Sequence, residues 1–359
     1  MSVFVQYGKV GKPIVYNTLP AASEDLKGVC GQVEDKIYIC DGSNWNLFSN
    51  TTLKKLLDAT QSCYSLFSQY QGVSVDKLIA YNDTSNVTNM DTMFNHCKSL
   101  TSIPLLDTSN VTSMNNMFNE CVNLTSIPLL NTSKVVNMGA MFTDCKSLTS
   151  IPLLNTSNVT SMGVMFISCE KLKTIPLFNT SNVTNMYRMF AYCYTLESIP
   201  ELDTSNVTNM YGLFTGCRSL TTIPWLDTSK VTDISQMFTG CGKLVSIPLL
   251  NTSQITNMSY MFNSCYALES IPALDVSNVI SFDTSFKNCT SLKSILMTGM
   301  KVSFDIHWST QFEESDLVTI LNNLATVETT QTLTMGATNL AKLTDEEKAI
   351  ATNKGWTLA

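Results

Sequence analysis

The sequence is short of charge. Only 14% of its 359 residues are Asp, Glu, Lys or Arg, against a usual share of about a quarter. Thr, Ser and Asn fill the surface instead. The formal net charge is −7, and no basic stripe is present to track a nucleic-acid backbone. Histidine occurs twice, as His96 and His307, and no CxxC pair occurs; the converging donor sets of a zinc site are therefore missing. No run approaches the ~20 apolar residues of a membrane span. The opening stretch MSVFVQYGKVGKPIVYNTLP has neither the basic n-region nor the apolar h-region of a signal peptide, so the expectation is a route outward other than signal-led export. Glycoside hydrolysis needs two carboxylates flanking a cleft. Glu197, Glu201 and Glu269 sit at variable outward positions, and no motif pairs them. The sequence thus predicts no enzyme, no metal and no cofactor.

What is present is repetition. Hydrophobic residues make up 44% of the chain, and most recur on a fixed beat. Nine of the twelve cysteines, Cys97, Cys121, Cys145, Cys169, Cys193, Cys217, Cys241, Cys265 and Cys289, stand 24 residues apart. The unit reads D/N-T-S-x-V-T-x-M-x-x-M-F-x-x-C-x-x-L-x-x-I-P-x-L. A period of 20–29 residues with one apolar strand per unit is the signature of a leucine-rich-repeat solenoid. In the unit that starts at Asp107, Val111, Met114, Met117, Phe118 and Cys121 fall on the spacing of one helical face. Thr108 and Ser109 stand where they can cap its first turn. Each unit is therefore expected to carry a helix of about three turns. Leu124, Ile127 and Leu130 mark the buried side of a short extended segment. Pro128 cannot donate to a ladder, so the parallel pairing is confined to about Thr125–Ile127. The fold class that follows is an α/β repeat solenoid of short parallel strands and short helices, with a small N-terminal β module.

Each column then has a reading. The cysteine ladder is read as reduced packing, because a free thiol behaves as a small soft hydrophobe, and the methionine pairs such as Met186 and Met189 as core. The column at 83, 107, 131, 155, 179, 203, 227, 251 and 275 mixes Asp with Asn, four of the nine being neutral. That favours a turn-forming Asx side chain over a calcium ladder. Core columns are fixed by packing, so recognition belongs to the variable ones. Early units are bland there, with Thr101, Thr125 and Thr149. Later ones carry Lys173, Tyr187, Arg188, Tyr192, Tyr194, Glu197, Tyr211, Arg218, Trp225, Tyr260 and Tyr266. Tyr, Trp and Arg are the residues of binding hot spots, and their rings can stack on sugars. These eleven are the candidate ligand-binding surface; ordinary drift of exposed positions is the competing reading.

Four regions are expected. Residues 1–50 form a β module for attachment and oligomerisation, with a hairpin turning at Glu34–Asp35. Cys30 and Cys40 can face each other across it, which leaves a disulfide and free thiols both open. Residues 51–72 form a helical cap, with Leu53, Leu56, Leu57, Thr60, Cys63 and Phe67 on one face. The solenoid occupies 73–299, as nine units. Residues 300–359 form a cap of strands at MKVSFDI and TLTMG and helices from Ser315 and Thr344, the last with a capping box to Glu347 and a stop at Gly355.

The pattern DTSNVTNM…MF..C..L over residues 80–296 resembles the BspA-like leucine-rich-repeat proteins, as does the ending TNLAKLTDEEKAIATNKGWTL. That resemblance implies a surface protein that binds rather than catalyses. A second, shorter likeness joins Leu19, Pro20, Gly28, Val29, Asp35, Tyr38, Cys40, Gly42 and Trp45, a pattern similar to a β module of tailed-phage fibre and appendage proteins. It implies a virion protein, fibre or decoration, attached to other virion proteins or to copies of itself through residues 1–50. The partner outward is then a bacterial surface glycan or protein. A bacterial cell-surface adhesin is the alternative.

Overall fold

The computed structural model describes residues 84–359 throughout and, before them, the backbone of five strands. These are β1 (Phe4–Tyr7), β2 (Val15–Tyr16), β3 (Cys30–Val33), β4 (Lys36–Cys40) and β5 (Trp45–Leu47), hydrogen-bonded in the order β2-β1-β3-β4-β5, every pair antiparallel. The hairpin expected at Glu34–Asp35 is the β3–β4 connection, where Val33 pairs with Lys36. The facing of Cys30 and Cys40 is corrected by the same register. Cys30 lies opposite Ile39, and Cys40 pairs with Trp45, so the two are not cross-strand partners. The cap expected over 51–72 lies outside the described residues. By its contacts the chain forms two compact units, Met1–Glu170 and Lys171–Ala359. Each contains stacked 24-residue coils.

In these coils the expected helix is replaced by consecutive tight turns. In the coil from Asp107, Val111 N donates to Thr108 O (3.0 Å), Met117 N to Met114 O (3.2 Å), Cys121 N to Phe118 O (3.0 Å) and Leu124 N to Cys121 O (3.0 Å). Each closes a three-residue step, not the four-residue step of an α-helix. Asn116 (φ 56°) and Glu120 (φ 57°) are left-handed, each the third residue of its turn, as a type II turn requires. The sequence reason is the spacing itself. Inward residues recur every third position, broken by the adjacent buried pair Met117–Phe118, and do not follow the alternating 3–4 rhythm of a helical stripe. The amides a helix would use internally go to the next coil instead. Asn116 N reaches Gly139 O (2.9 Å), Phe118 N reaches Met141 O (2.9 Å) and Glu120 N reaches Thr143 O (2.8 Å). The second unit repeats this, with Gly212 N on Ser235 O (3.0 Å) and Phe214 N on Met237 O (2.9 Å).

Thr108 does not cap a helix either. It is buried, its carbonyl closes the turn to Val111, and its Oγ1 donates to Asn131 O in the next coil (2.8 Å). Thr204 and Thr228 do the same to Asp227 and Asn251. The Asx column behaves as its chemistry suggests. Asp107, Asn155, Asp203 and Asn251 each accept the amide two residues on. That contact, with the Ser205 hydroxyl foremost, holds the Asp203 carboxyl below its ordinary range. On the strand side, Thr125 N meets Thr101 O (3.2 Å). Ladder pairing is so short that regular strands register only as β6 (Ser270–Ile271) and β7 (Ser294–Ile295), which are parallel.

The spine is aromatic and sulfurous. Phe94, Phe118, Phe142 and Phe166 stack in the first unit with centroids 5.5–5.7 Å apart. Phe190 to Phe286 stack in the second at 5.7–6.0 Å, within the range of favourable aromatic pairs. All nine repeat cysteines are buried thiols outside any disulfide. Each described thiol contact donates to the carbonyl of the phenylalanine 27 residues earlier. Cys121 Sγ meets Phe94 O at 3.1 Å, and Cys241 Sγ meets Phe214 O at 3.1 Å.

After the last repeat come β8 (Phe304–Asp305), α1 (Glu314–Asn323), β9 (Gln331–Thr334), α2 (Ala337–Leu340), α3 (Asp345–Thr352) and β10 (Trp356–Leu358), the strands forming a parallel sheet in the order β10-β9-β8. Helix α3 has the expected box: Glu347 N donates to Thr344 Oγ1 and Thr344 N to Glu347 Oε2. Gly355 follows at φ 85°. The C-terminal end of α1 is closed from outside, since Lys354 Nζ donates to Leu321 O, Asn322 O and Leu324 O at 2.6–3.1 Å. Among the described residues, no helix is long and apolar enough to cross a membrane.

Candidate functional site

All eleven variable-column residues fall in the second unit, and most of them meet one another. Tyr187 and Tyr211 occupy the same column in successive coils. Their rings stack at 5.4 Å, 12° from parallel. Arg188 lies against both, with its guanidinium carbon 5.7 Å from the Tyr187 centroid and 5.2 Å from that of Tyr211. One nitrogen of that group reaches Gln236 Oε1 at 2.9 Å, two coils on. Gly212 permits the reach: a Cβ there would stand 3.0 Å from Arg188 Cγ and 3.0 Å from Thr215 Oγ1. The Nε of Arg188 is buried without a hydrogen-bond partner.

A second cluster adjoins along the sequence. Arg218 sits over the Tyr194 ring at 4.5 Å, and Tyr192 meets Tyr194 edge-on at 6.3 Å. Tyr192 lies across Gly216, where a Cβ would come within 2.8 Å of its ring. Tyr266 lies across Gly242 in the same way, at 3.3 Å, and is 52% exposed. Tyr260 is exposed and left-handed at φ 58°. Lys173 and Glu197 form an exposed ion pair at 3.3 Å, of a kind worth little to stability. Glu269 is likewise tied to Lys293 at 3.2 Å.

Two expectations change here. The faces of Tyr187, Tyr211 and Tyr194 are occupied by a neighbouring ring or a guanidinium, so flat stacking on a sugar has little free face to use. Edges, phenolic hydroxyls and arginine nitrogens are what the patch offers. Trp225, 56% exposed, stands apart from these tyrosines, in the column that follows each proline. There it replaces a leucine.

That column was missed from the sequence. Leu105, Leu129 and Leu153 in the first unit, and Leu177 and Leu249 in the second, are all more than half exposed. Gln236 and the glycines under the patch were missed too. The signal for the glycines lies in the repeat itself: Gly212 and Gly216 interrupt columns that carry side chains in most other units. Among the described residues no group of His, Cys, Asp or Glu is placed to hold a metal ion.

Comparison with known proteins adds the following. No curated protein matches the chain. A leucine-rich-repeat protein of T. pallidum (22% identity, TM-score 0.38) covers 46% of this chain and 76% of its own. A leucine-rich-repeat protein of Bacteroides ovatus (18%, TM-score 0.36) covers 76% and 87%. The fold assignment rests on the coil geometry above and not on these distant likenesses. The family described as "Mycoplasma protein of unknown function, DUF285" matches residues 61–176, 125–223, 149–245, 192–298 and 221–319. These spans overlap and together run from residue 61 to residue 319, well over half of the chain. The chain belongs to this DUF285 family.

Proposed function

We propose that the chain is a non-enzymatic adhesive protein whose second unit presents the Tyr187–Arg188–Tyr211 patch to a bacterial surface glycan or protein. The observation that carries this reading is the state of Arg188. Its guanidinium lies against two stacked rings and is held by Gln236, and its Nε is left buried and unpartnered. An unpaired buried donor costs about 1–3 kcal/mol, which drift of an exposed column does not explain. Fixing these side chains before contact lowers the entropy cost of binding. Catalysis is disfavoured because Glu197 and Glu269 are each held by a lysine.

The test is adhesion of the purified chain to bacterial cells and to glycan arrays. Alanine at Tyr187, Tyr211 and Trp225 together should abolish binding while the melting transition stays cooperative. Retained binding in a folded triple variant refutes the reading. Two carriers fit. Placement on a virion rests on the likeness of Leu19–Trp45 to phage appendage modules. Placement on a bacterial surface is favoured by the match to a family named from Mycoplasma. Mass spectrometry of purified virions, beside surface labelling of whole cells, separates the two.

A further inference from the structure

The chain holds 22 basic residues, and only two of them, Arg188 and Arg218, are arginines. Both belong to the second unit, in the successive coils that start at Asn179 and Asp203. Both lie on tyrosine rings, Arg188 at 5.2 Å from the Tyr211 centroid and Arg218 at 4.5 Å from that of Tyr194. A guanidinium is planar, so it can rest on an aromatic face and still present N–H donors at its edge; a lysine ammonium cannot.

These two cations have no counter-charge. Lys98, Lys146, Lys173 and Lys293 each meet a glutamate at 2.9–3.6 Å. Among the described residues neither arginine has a carboxylate partner, although the chain carries a net charge of −7. Acids have also left the neighbouring column. It holds Glu120 and Asp144 in the first unit but Tyr192, Gly216, Gly240, Ser264 and Asn288 in the second. Asp233, in the coil after that of Arg218, has both oxygens engaged, one by the Ser235 amide and hydroxyl and the other by Asn257. Arg218 is exposed and makes no hydrogen bond among the described residues, so its donors are left to solvent. Of the Arg188 nitrogens, Nε is buried out of a ligand's reach and Nη2 is held by Gln236 at 2.9 Å. Its Nη1 is neither buried without a partner nor bonded among the described residues, and is the atom it can offer.

We infer that the patch takes acidic sugars of a glycan, whose oxyanions, carboxylate or phosphate ester, pair with Arg218 and Arg188. This deepens the adhesive reading above and rests on it. Guanidinium pairs with either oxyanion are charge-assisted and shaped for two parallel hydrogen bonds. The rings hold each guanidinium in place beforehand, so contact costs less side-chain freedom. The scale suits a sugar. Arg188 to Gln236 spans two coil steps, roughly 10 Å at the spacing of paired strands, whereas a stable protein partner covers about 800 Å² on each side. The phenols of Tyr187, Tyr194 and Tyr211 stand beside the arginines to exchange hydrogen bonds with sugar hydroxyls.

The experiment is a titration of the full chain, labelled with 13C at the arginine Cζ, which gives one signal for each of the two arginines. The probes are methyl glucuronide, glucose 1-phosphate, methyl glucoside, inorganic phosphate and a tetraglutamate peptide. Affinity is read on the arginine signals and on the probe's own proton linewidths, so no variant removes its only reporter. Methyl glucuronide or glucose 1-phosphate should bind saturably and shift the Arg218 signal, and which of them does so tells carboxylate from phosphate ester. Methyl glucoside should leave both signals in place. Arg218→Lys, an exposed change that keeps the charge and spares the fold, should weaken the acidic sugar about tenfold. The inference falls if neither acidic sugar shifts an arginine, or if methyl glucoside, inorganic phosphate or the peptide binds as tightly as the acidic sugar. It falls too if Arg218→Lys binds as the parent does. Any of these results, with adhesion still lost in the Tyr187, Tyr211 and Trp225 triple variant, leaves the adhesive reading standing; adhesion kept by that folded variant sinks the reading whatever the titration gives.

Discussion

A thiol that donates to a carbonyl once per coil is a polar device inside an apolar column. Burial pushes these thiols up in pKa; for Cys289 the value rises from 9.0 to about 12. The folded chain therefore keeps its thiol protons at pH values where an unfolded chain has lost them. By linkage the stabilisation is complete below about pH 9 and falls as pH rises toward 12. Urea midpoints are expected to drop steadily above about pH 9, with a shallower slope for Cys289→Ala. The nine repeat thiols should likewise resist thiol reagents until denaturant is added, in a Cys30→Ser/Cys40→Ser/Cys63→Ser background. A second residue-scale prediction concerns Gly212, at φ 60° beneath Arg188. Gly212→Ala should cost about 1 kcal/mol through left-handed strain and displace the guanidinium from Tyr211. Calorimetry and the Tyr211 ring shifts check the two parts. Burial of the cysteine, methionine and phenylalanine columns was legible because each repeats an apolar type at a fixed offset. The Sγ–carbonyl bond was not, since no spacing rule announces a partner 27 residues away.

Elements were legible where the chain closes its own hydrogen bonds. Helix α3 was readable from Thr344, Glu347 and Gly355 because box and stop are local chemistry. The coils were misread for the opposite reason. Met114, Met117 and Cys121 mimic a helical face, but their backbone partners lie in the next coil, and only the stack decides between helix and turn. Helix α1 shows a third case. Its start was legible to within a residue, while its end is closed by Lys354, about 30 residues on. Three charge-assisted contacts to the last carbonyls complement the helix terminus. Lys354→Met should therefore cost about 1.5–3 kcal/mol, read as a lowered denaturant midpoint. Amides of the last turn of α1 should exchange faster.

At the scale of the molecule, a chain of near-identical coils has a stability close to a sum of local terms. Deleting residues 107–130 joins Leu106 to Asn131 in the same frame, and every column is preserved. That variant should fold cooperatively with a modestly lowered melting temperature, whereas deleting 107–118 alone should abolish folding. Circular dichroism melts separate the two. The arrangement also bears on how the stack ends. Parallel ring planes persist to Phe286, but Phe304 meets Phe286 at 67° and Trp356 meets Phe304 at 77°. These rings are buried, so a newcomer with its own flat ladder meets the strands and helices of residues 304–358 at that end and no platform to extend. Covering the last coil in this way removes the open edge through which so regular a stack would otherwise invite fibrous self-propagation.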